Sequence, residues 1–374
     1  MQAAFSKQPE LKALTGLRSF FAFWVIVLHI HVGLELHRVP HEIPNWLNTF
    51  IRNGFWGVDG FFILSGFILS YQYFDKFSER INIPSFLKFL QHRLARIYPV
   101  HFVILGLYAF AVFLGAGIEQ KDCGSPLLPI ECDRFSMSFL LQQLLLVASW
   151  GWNPPVSWNL VAWSISSEWF AYLLFPFLCL LIPLFRSKKA FFGLWIFLIA
   201  SMFTIFYFTG LYPFGIDPDG GVVRVFFLFS SGCVLFQFYK RGWLEVISGS
   251  KVLSLGILAF FIPQLYQHWY LIPILISFLI LHLAKIKQGL SVFFSHRFIV
   301  YMGKISYSWY MGHVFIFEML GVIIPKSSVV AEKMSILTFI GVFSGMLFLS
   351  IIFASILFHF VEEPLRKKIT SIKI

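Results

Sequence analysis

The chain has 374 residues, of which 58% are hydrophobic and 20% aromatic but only 13% charged, with a formal net charge of +11 and a mean hydropathy of +0.78. Soluble domains carry about 25% charged residues, so these values exclude a soluble enzyme and predict an all-α, polytopic membrane helix bundle. The positive balance does not mark a nucleic-acid partner, because Lys and Arg are divided among the loops between apolar runs, as membrane topology demands.

Ten apolar runs read as transmembrane helices: 14–34, 55–74, 97–117, 163–185, 190–210, 222–239, 252–267, 268–284, 298–324 and 334–360. The first holds Arg18 and His29 and lacks a small-residue cleavage site, which reads as a retained helix rather than a signal peptide. With both termini in the cytoplasm, twenty basic residues fall inside and seven outside, the latter including Arg134 and Arg224. Cys123 and Cys132 then lie in an outer loop, DCGSPLLPIEC, where a local disulfide is expected in a bacterial periplasm. Cys179 and Cys233, in apolar runs, read as small packing residues.

The stretch 139–160 is too short and too broken by Gly151, Pro154 and Pro155 to span, and a crossing there would carry the RSKK segment at 186–189 outside. It reads as a re-entrant segment on the outer side, and the adjoining GWNPPVSWNLVAWSISSE is either a cavity wall or an interfacial loop anchored by Trp. No repeat or long linker divides the chain, so residues 1–374 read as one membrane domain.

Ionisable groups then recur where a membrane helix should avoid them. Arg18 and His29 stand eleven residues apart, about three turns and roughly 16 Å, which puts them on one helical face at different depths. Such residues generally face the bundle interior or a water-filled path and mark function. Asp59, Glu168 and His313 interrupt later runs, and Ser306, Tyr310 and His313 share one face of theirs. Asp59 is expected to tie helices together, with the SGF segment after it allowing close packing. Arg93 and Arg96, three apart just before the third span, form a pair able to grip phosphates or simply to meet anionic lipid headgroups. Glu362 reads as a cap or anchor of the last cytoplasmic turn.

Six segments, LTGLRSFFAFWVIVLH, GVDGFFILSGFIL, HRLARIYP, WSISSEWFAYLLFP, ISYSWYMGH and VEEPLRK, run in order from residue 14 to residue 368. In that order they resemble the bacterial membrane acyltransferase-3 family of O-acyltransferases. Ser167 stands where the family usually has an aliphatic residue, and Glu363 where it commonly has a basic one. The resemblance is to the stand-alone form without a fused esterase-like domain.

It implies transfer of an acyl group, by family default acetyl, from cytoplasmic acyl-CoA to a hydroxyl of a lipopolysaccharide O-antigen, an exopolysaccharide or a lipid-linked saccharide. The expected setting is the bacterial inner membrane, with membrane lipids as neighbours and no metal. His29 is then expected to act as general base, with Arg18 as its cationic partner or as a ligand of a CoA phosphate. Glu168 is expected to orient His29 or bond the sugar. Arg93 and Arg96 would clamp the nucleotide phosphates, and Tyr310, His313 and Trp163 would line the acceptor path. The other class open to these residues is a secondary transporter or flippase without acyl transfer, although no inverted repeat is visible.

Overall fold

The computed structural model describes residues 8–36, 43–115, 134–151, 157–209, 220–243, 271–323 and 336–373. The helices are α1 (Lys12–Leu36), α2 (Asn45–Arg52), α3 (Trp56–Phe77), α4 (Ile83–Phe113), α5 (Met137–Leu144), α6 (Ala162–Leu181) and α7 (Lys188–Thr209). They continue with α8 (Gly221–Arg241), α9 (Ile272–Lys285), α10 (Leu290–Phe294), α11 (Arg297–Ile323), α12 (Ile336–Leu357) and α13 (Glu363–Ser371), with a π-helical turn, Phe358–Glu362, joining the last two.

The protein is a polytopic helical membrane protein: among the described residues seven helices are long and apolar enough to cross a membrane. The expected run 298–324 is the 27-residue α11, whose Ser306, Ser308 and His313 turn inward. The run 268–284 is the 14-residue α9, and 252–267 lies outside the described residues, as do Cys123 and Cys132. Cys179 and Cys233 are buried free thiols.

Two boundaries differ from the sequence reading. α4 begins at Ile83, with Pro84 in its first turn, so Arg93 and Arg96 lie within a 31-residue helix rather than ahead of it. The last apolar run continues through the π-helical turn to Ser371. Such widened turns recur at functional sites, and this one places Glu362 wholly in the interior.

Side-chain pairings give the helix directions. Arg18 meets Ser306 and His29 meets His313, so α1 and α11 run parallel. Ile97 meets Tyr307 and Tyr108 meets Phe315, which sets α4 in the same direction. α3 runs against α1, with Gly54 at Trp24 and Gly57 at Phe21. α6 and α8 follow α3 through Phe62–Trp163, Phe77–Phe175, Asp59–Arg224 and Asp75–Lys240.

α4 and α6 therefore point in opposite directions, so α4 ends on the side from which α6 begins. The eight-residue α5 and the turns after it reach inward to the level of Tyr98, midway along α4. Backbone at that depth has no water to bond, so side chains satisfy it. Tyr98 donates its hydroxyl to the Leu144 carbonyl at 3.1 Å, His101 Nε2 lies 2.8 Å from the Gln143 carbonyl, and Ser166 donates to the Leu146 carbonyl at 2.9 Å. The last bond holds Leu146 at φ 58°, a left-handed conformation that costs a non-glycine residue about 1–2 kcal/mol. Trp150 and Trp158 anchor this re-entrant segment by donating their indole N–H to the Ser166 and Ser136 carbonyls.

Burial ranks the helices. The most apolar window of α8 is 83% buried, and α3 and α1 follow at 72% each, so these three form the centre. The corresponding window of the α12–α13 helix is 17% buried and turns Phe348, Ile352 and Ile356 outward, as a lipid-facing helix does.

Glycines set the central crossings. A Cβ on Gly66 would strike the Phe229 carbonyl, and one on Gly232 the Ile63 carbonyl, so α3 and α8 touch backbone to backbone as the SGF segment predicts. A Cβ on Gly303 would strike the Thr15 carbonyl where α11 meets α1. Gly303→Ala is accordingly expected to destabilise the fold by about 1–3 kcal/mol, read as a lower midpoint of thermal unfolding in detergent. A variant as stable as the parent would show that this crossing tolerates separation.

Candidate active site

A partly open cavity of about 100 Å³ lies where α1, α3, α4, α6 and α11 converge, with Arg18, Arg93 and Arg96 on its side toward the start of α4. Its polar lining comprises Arg18, Ser65, Arg93, Arg96, Ser164, Glu168, Tyr172, Ser306, Tyr307 and Tyr310, with Phe61, Phe62, Ile68 and Ile97 among its apolar walls. Six residues singled out in the sequence, Arg18, Arg93, Arg96, Glu168, Ser306 and Tyr310, thus meet around one space although they come from four helices.

Each guanidinium is held differently. Arg18 donates from Nε to Ser306 Oγ at 3.3 Å and lies over the Phe61 ring. Arg93 donates from Nη2 to the Tyr73 hydroxyl at 3.2 Å and packs over Tyr73 and Phe89, while its buried Nε meets no acceptor among the described residues. Arg96 is ion-paired with Glu362, which also accepts from Ser308 Oγ at 2.6 Å. Rather than capping or anchoring the last cytoplasmic turn, Glu362 is buried as the counter-ion of Arg96. Its signal was a carboxylate at the end of an apolar run, and its partner lay 266 residues away.

Glu168 accepts from Ser65 Oγ at 2.7 Å and faces the cavity, so it is tied to α3 rather than to His29. Three guanidiniums therefore face two carboxylates, Glu168 and Glu362. The surplus of one positive charge gives the cavity an electrostatic preference for anionic groups with several acceptor oxygens.

His29 lies outside this lining, three turns further along α1, with Nδ1 2.7 Å from Nε2 of His313. Tyr310 bridges the two places: its hydroxyl donates to Ser164 Oγ at 2.8 Å on the cavity wall, and its carbonyl meets Nδ1 of His313 at 2.7 Å. Trp163 is buried against Phe62 with Arg224 over its ring, apart from the cavity lining.

Two ion pairs were not legible in the sequence. Arg224, counted there among the outer basic residues, is buried in α8 and donates from Nε and Nη2 to the two oxygens of Asp59 at 2.5 and 2.7 Å. Arg134, counted likewise, meets Glu318 of α11 at 2.8 Å and donates to the Trp158 carbonyl at 2.7 Å. Counting charges by side missed both pairings, because the partners lie 165 and 184 residues away.

Fold and cavity define a helical membrane protein that holds a cationic, polar-lined site within its bundle. The sequence profile described as "Acyltransferase domain" matches residues 11–355, and the chain belongs to that family. It is similar to the O-acetyltransferase OatA of Staphylococcus aureus, 26% identical over 395 residues that cover 96% of this chain and 57% of the relative. A putative O-acetyltransferase of S. aureus strain COL is 24% identical over 392 residues, 97% of this chain and 58% of the relative. The acyltransferase MdmB of Streptomyces mycarofaciens is 33% identical over 169 residues, 45% of this chain and 38% of the relative. The chain thus spans less than two thirds of the length of these relatives. No solved structure matches it.

Proposed function

We propose that the protein transfers an acyl group, acetyl in the simplest case, from cytoplasmic acyl-CoA to a hydroxyl of a cell-surface glycan such as an O-antigen or exopolysaccharide. The observation that carries the reading is the convergence of Arg18, Arg93 and Arg96 on one cavity with a surplus positive charge. CoA is a fitting occupant because its nucleotide bears several phosphates and its flexible arm can carry a thioester from the cavity to His29. Family membership and the similarity to two proteins named as O-acetyltransferases support ester formation on an oxygen.

The orientation follows from charge. Lys240 and Arg241 at the end of α8, Lys88 at the start of α4, and Arg366, Lys367 and Lys368 on α13 gather at the end of the bundle toward which Arg18 and Arg93 lie. The positive-inside rule makes that end cytoplasmic and, in a bacterium, the membrane the inner one. In this reading Arg18 and Arg93 hold donor phosphates and Arg96 is aimed by Glu362. His29 takes the proton of the acceptor hydroxyl, and Glu168 and Tyr310 bond polar groups of donor or acceptor.

The test is transfer of label from radioactive acetyl-CoA to envelope glycan by membranes containing the protein. Label in glycan with equimolar release of CoA is expected, whereas glycan flux without CoA release would identify a transporter. Arg93→Gln is expected to raise the KM for acetyl-CoA by about tenfold, the worth of one charge-assisted contact, with a smaller effect on kcat. An unchanged KM would remove Arg93 from the donor site.

A further inference from the structure

We infer that His313 is a positioning residue that fixes the tautomer of His29, leaving Nε2 of His29 as the bare nitrogen presented to the acceptor hydroxyl. The inference rests on the reading of His29 as the base and adds what holds that base in its working form.

Nδ1 of His313 lies 2.7 Å from the carbonyl oxygen of Tyr310, three residues back on the same helix. A carbonyl only accepts, so Nδ1 carries the hydrogen and neutral His313 has an unprotonated Nε2. That Nε2 is 2.7 Å from Nδ1 of His29. It can only accept there, so the hydrogen between the rings belongs to His29 Nδ1, and His29 Nε2 is left with a free lone pair. The two ring planes lie 23° apart with centroids separated by 5.0 Å, so the rings meet edge to edge along the nitrogen–nitrogen line.

The surroundings hold this order. His313 is 1% exposed, Phe317 packs edge-on against its ring, and Tyr310 is tied through its hydroxyl to α6. The chain from the Tyr310 carbonyl through His313 to His29 has the logic of a catalytic triad, in which a third group orients the base, with a neutral imidazole where a carboxylate would stand.

During transfer the acceptor oxygen bonds the acyl carbon while its proton moves to His29 Nε2. The carbon–sulfur bond breaks, and the leaving thiolate takes that proton, giving the ester and free CoA thiol. The hydrogen on His29 Nδ1 stays in place throughout, bonded to His313.

The test uses the full chain in membranes, with radioactive acetyl-CoA as donor and the native envelope glycan as acceptor, for His313→Phe, His313→Gln and His313→Asn. Phe offers no acceptor, and kcat is expected to fall about 100-fold while the KM for acetyl-CoA stays within about twofold. Gln places its Oε1 close to the position of Nε2 and is expected to return kcat to within about tenfold of wild type, whereas the shorter Asn stays near Phe. A purely structural role would order the three by amount of folded protein instead. Wild-type kcat in His313→Phe, or equal loss in Phe and Gln at equal folded amounts, overturns the inference if His29→Ala is inactive. An active His29→Ala overturns the base assignment itself. Nitrogen-15 NMR of histidine-labelled wild type reads the tautomer without a His313 variant, the His29 signal being assigned by its loss in His29→Ala. Hydrogen on Nδ1 is expected, and hydrogen on Nε2 refutes the inference.

Discussion

His29→Ala is expected to lower kcat for acyl transfer by about 10³-fold while leaving the KM for acetyl-CoA nearly unchanged. The split follows from the geometry. The guanidiniums proposed to hold the donor lie three turns away on the cavity side, so truncating His29 removes none of their contacts. What it removes is the group proposed to receive the acceptor's proton, and proton transfer in the transition state contributes to kcat rather than to donor binding. Initial rates of CoA release over a range of acetyl-CoA concentrations check it. A KM raised as much as kcat is lowered would move His29 into the donor site, and an unaffected kcat would require another base.

The second large effect concerns stability. Asp59→Ala leaves the Arg224 guanidinium buried in the bundle without its carboxylate, and removing one partner of a buried ion pair costs about 3–5 kcal/mol. The pair joins the first turns of α3 and α8, about two turns from the crossing set by Gly66 and Gly232, so the loss falls between two of the most buried helices. A marked drop in thermal midpoint and in folded yield is expected, measured by size exclusion after heating in detergent. The double variant Asp59→Leu with Arg224→Met should recover most of it, since an apolar pair of similar volume carries no desolvation cost. Failure of the double variant alone would point to overpacking, and a stable Asp59→Ala would show that water reaches Arg224.

Much of this molecule was legible from local pattern. The hydropathy of the apolar runs placed most of the described spans, and the broken 139–160 stretch read as re-entrant because it was too short to cross. Arg18, His29, Glu168 and His313 stood out because a charged or imidazole side chain in an apolar helix is costly, and Arg93 and Arg96 because two guanidiniums three residues apart share a helical face. The burial and pairing of Arg224 and Arg134 were missed for the same reason in reverse: a cation near the end of an apolar run looks solvated until its carboxylate is known.

The sequence by itself determined a helical membrane bundle, its approximate spans, its ionisable residues and, through six ordered segments, its family. Helical period and hydropathy are local quantities, and they suffice for all of that. Only the tertiary structure decided the partners: Glu362 beside Arg96, Asp59 beside Arg224, Ser65 rather than His29 beside Glu168, and His313 against His29. These pairs lie between 103 and 284 residues apart along the chain. Helical period specifies which face of a helix a residue occupies; which helix that face meets is set by the packing of the whole bundle.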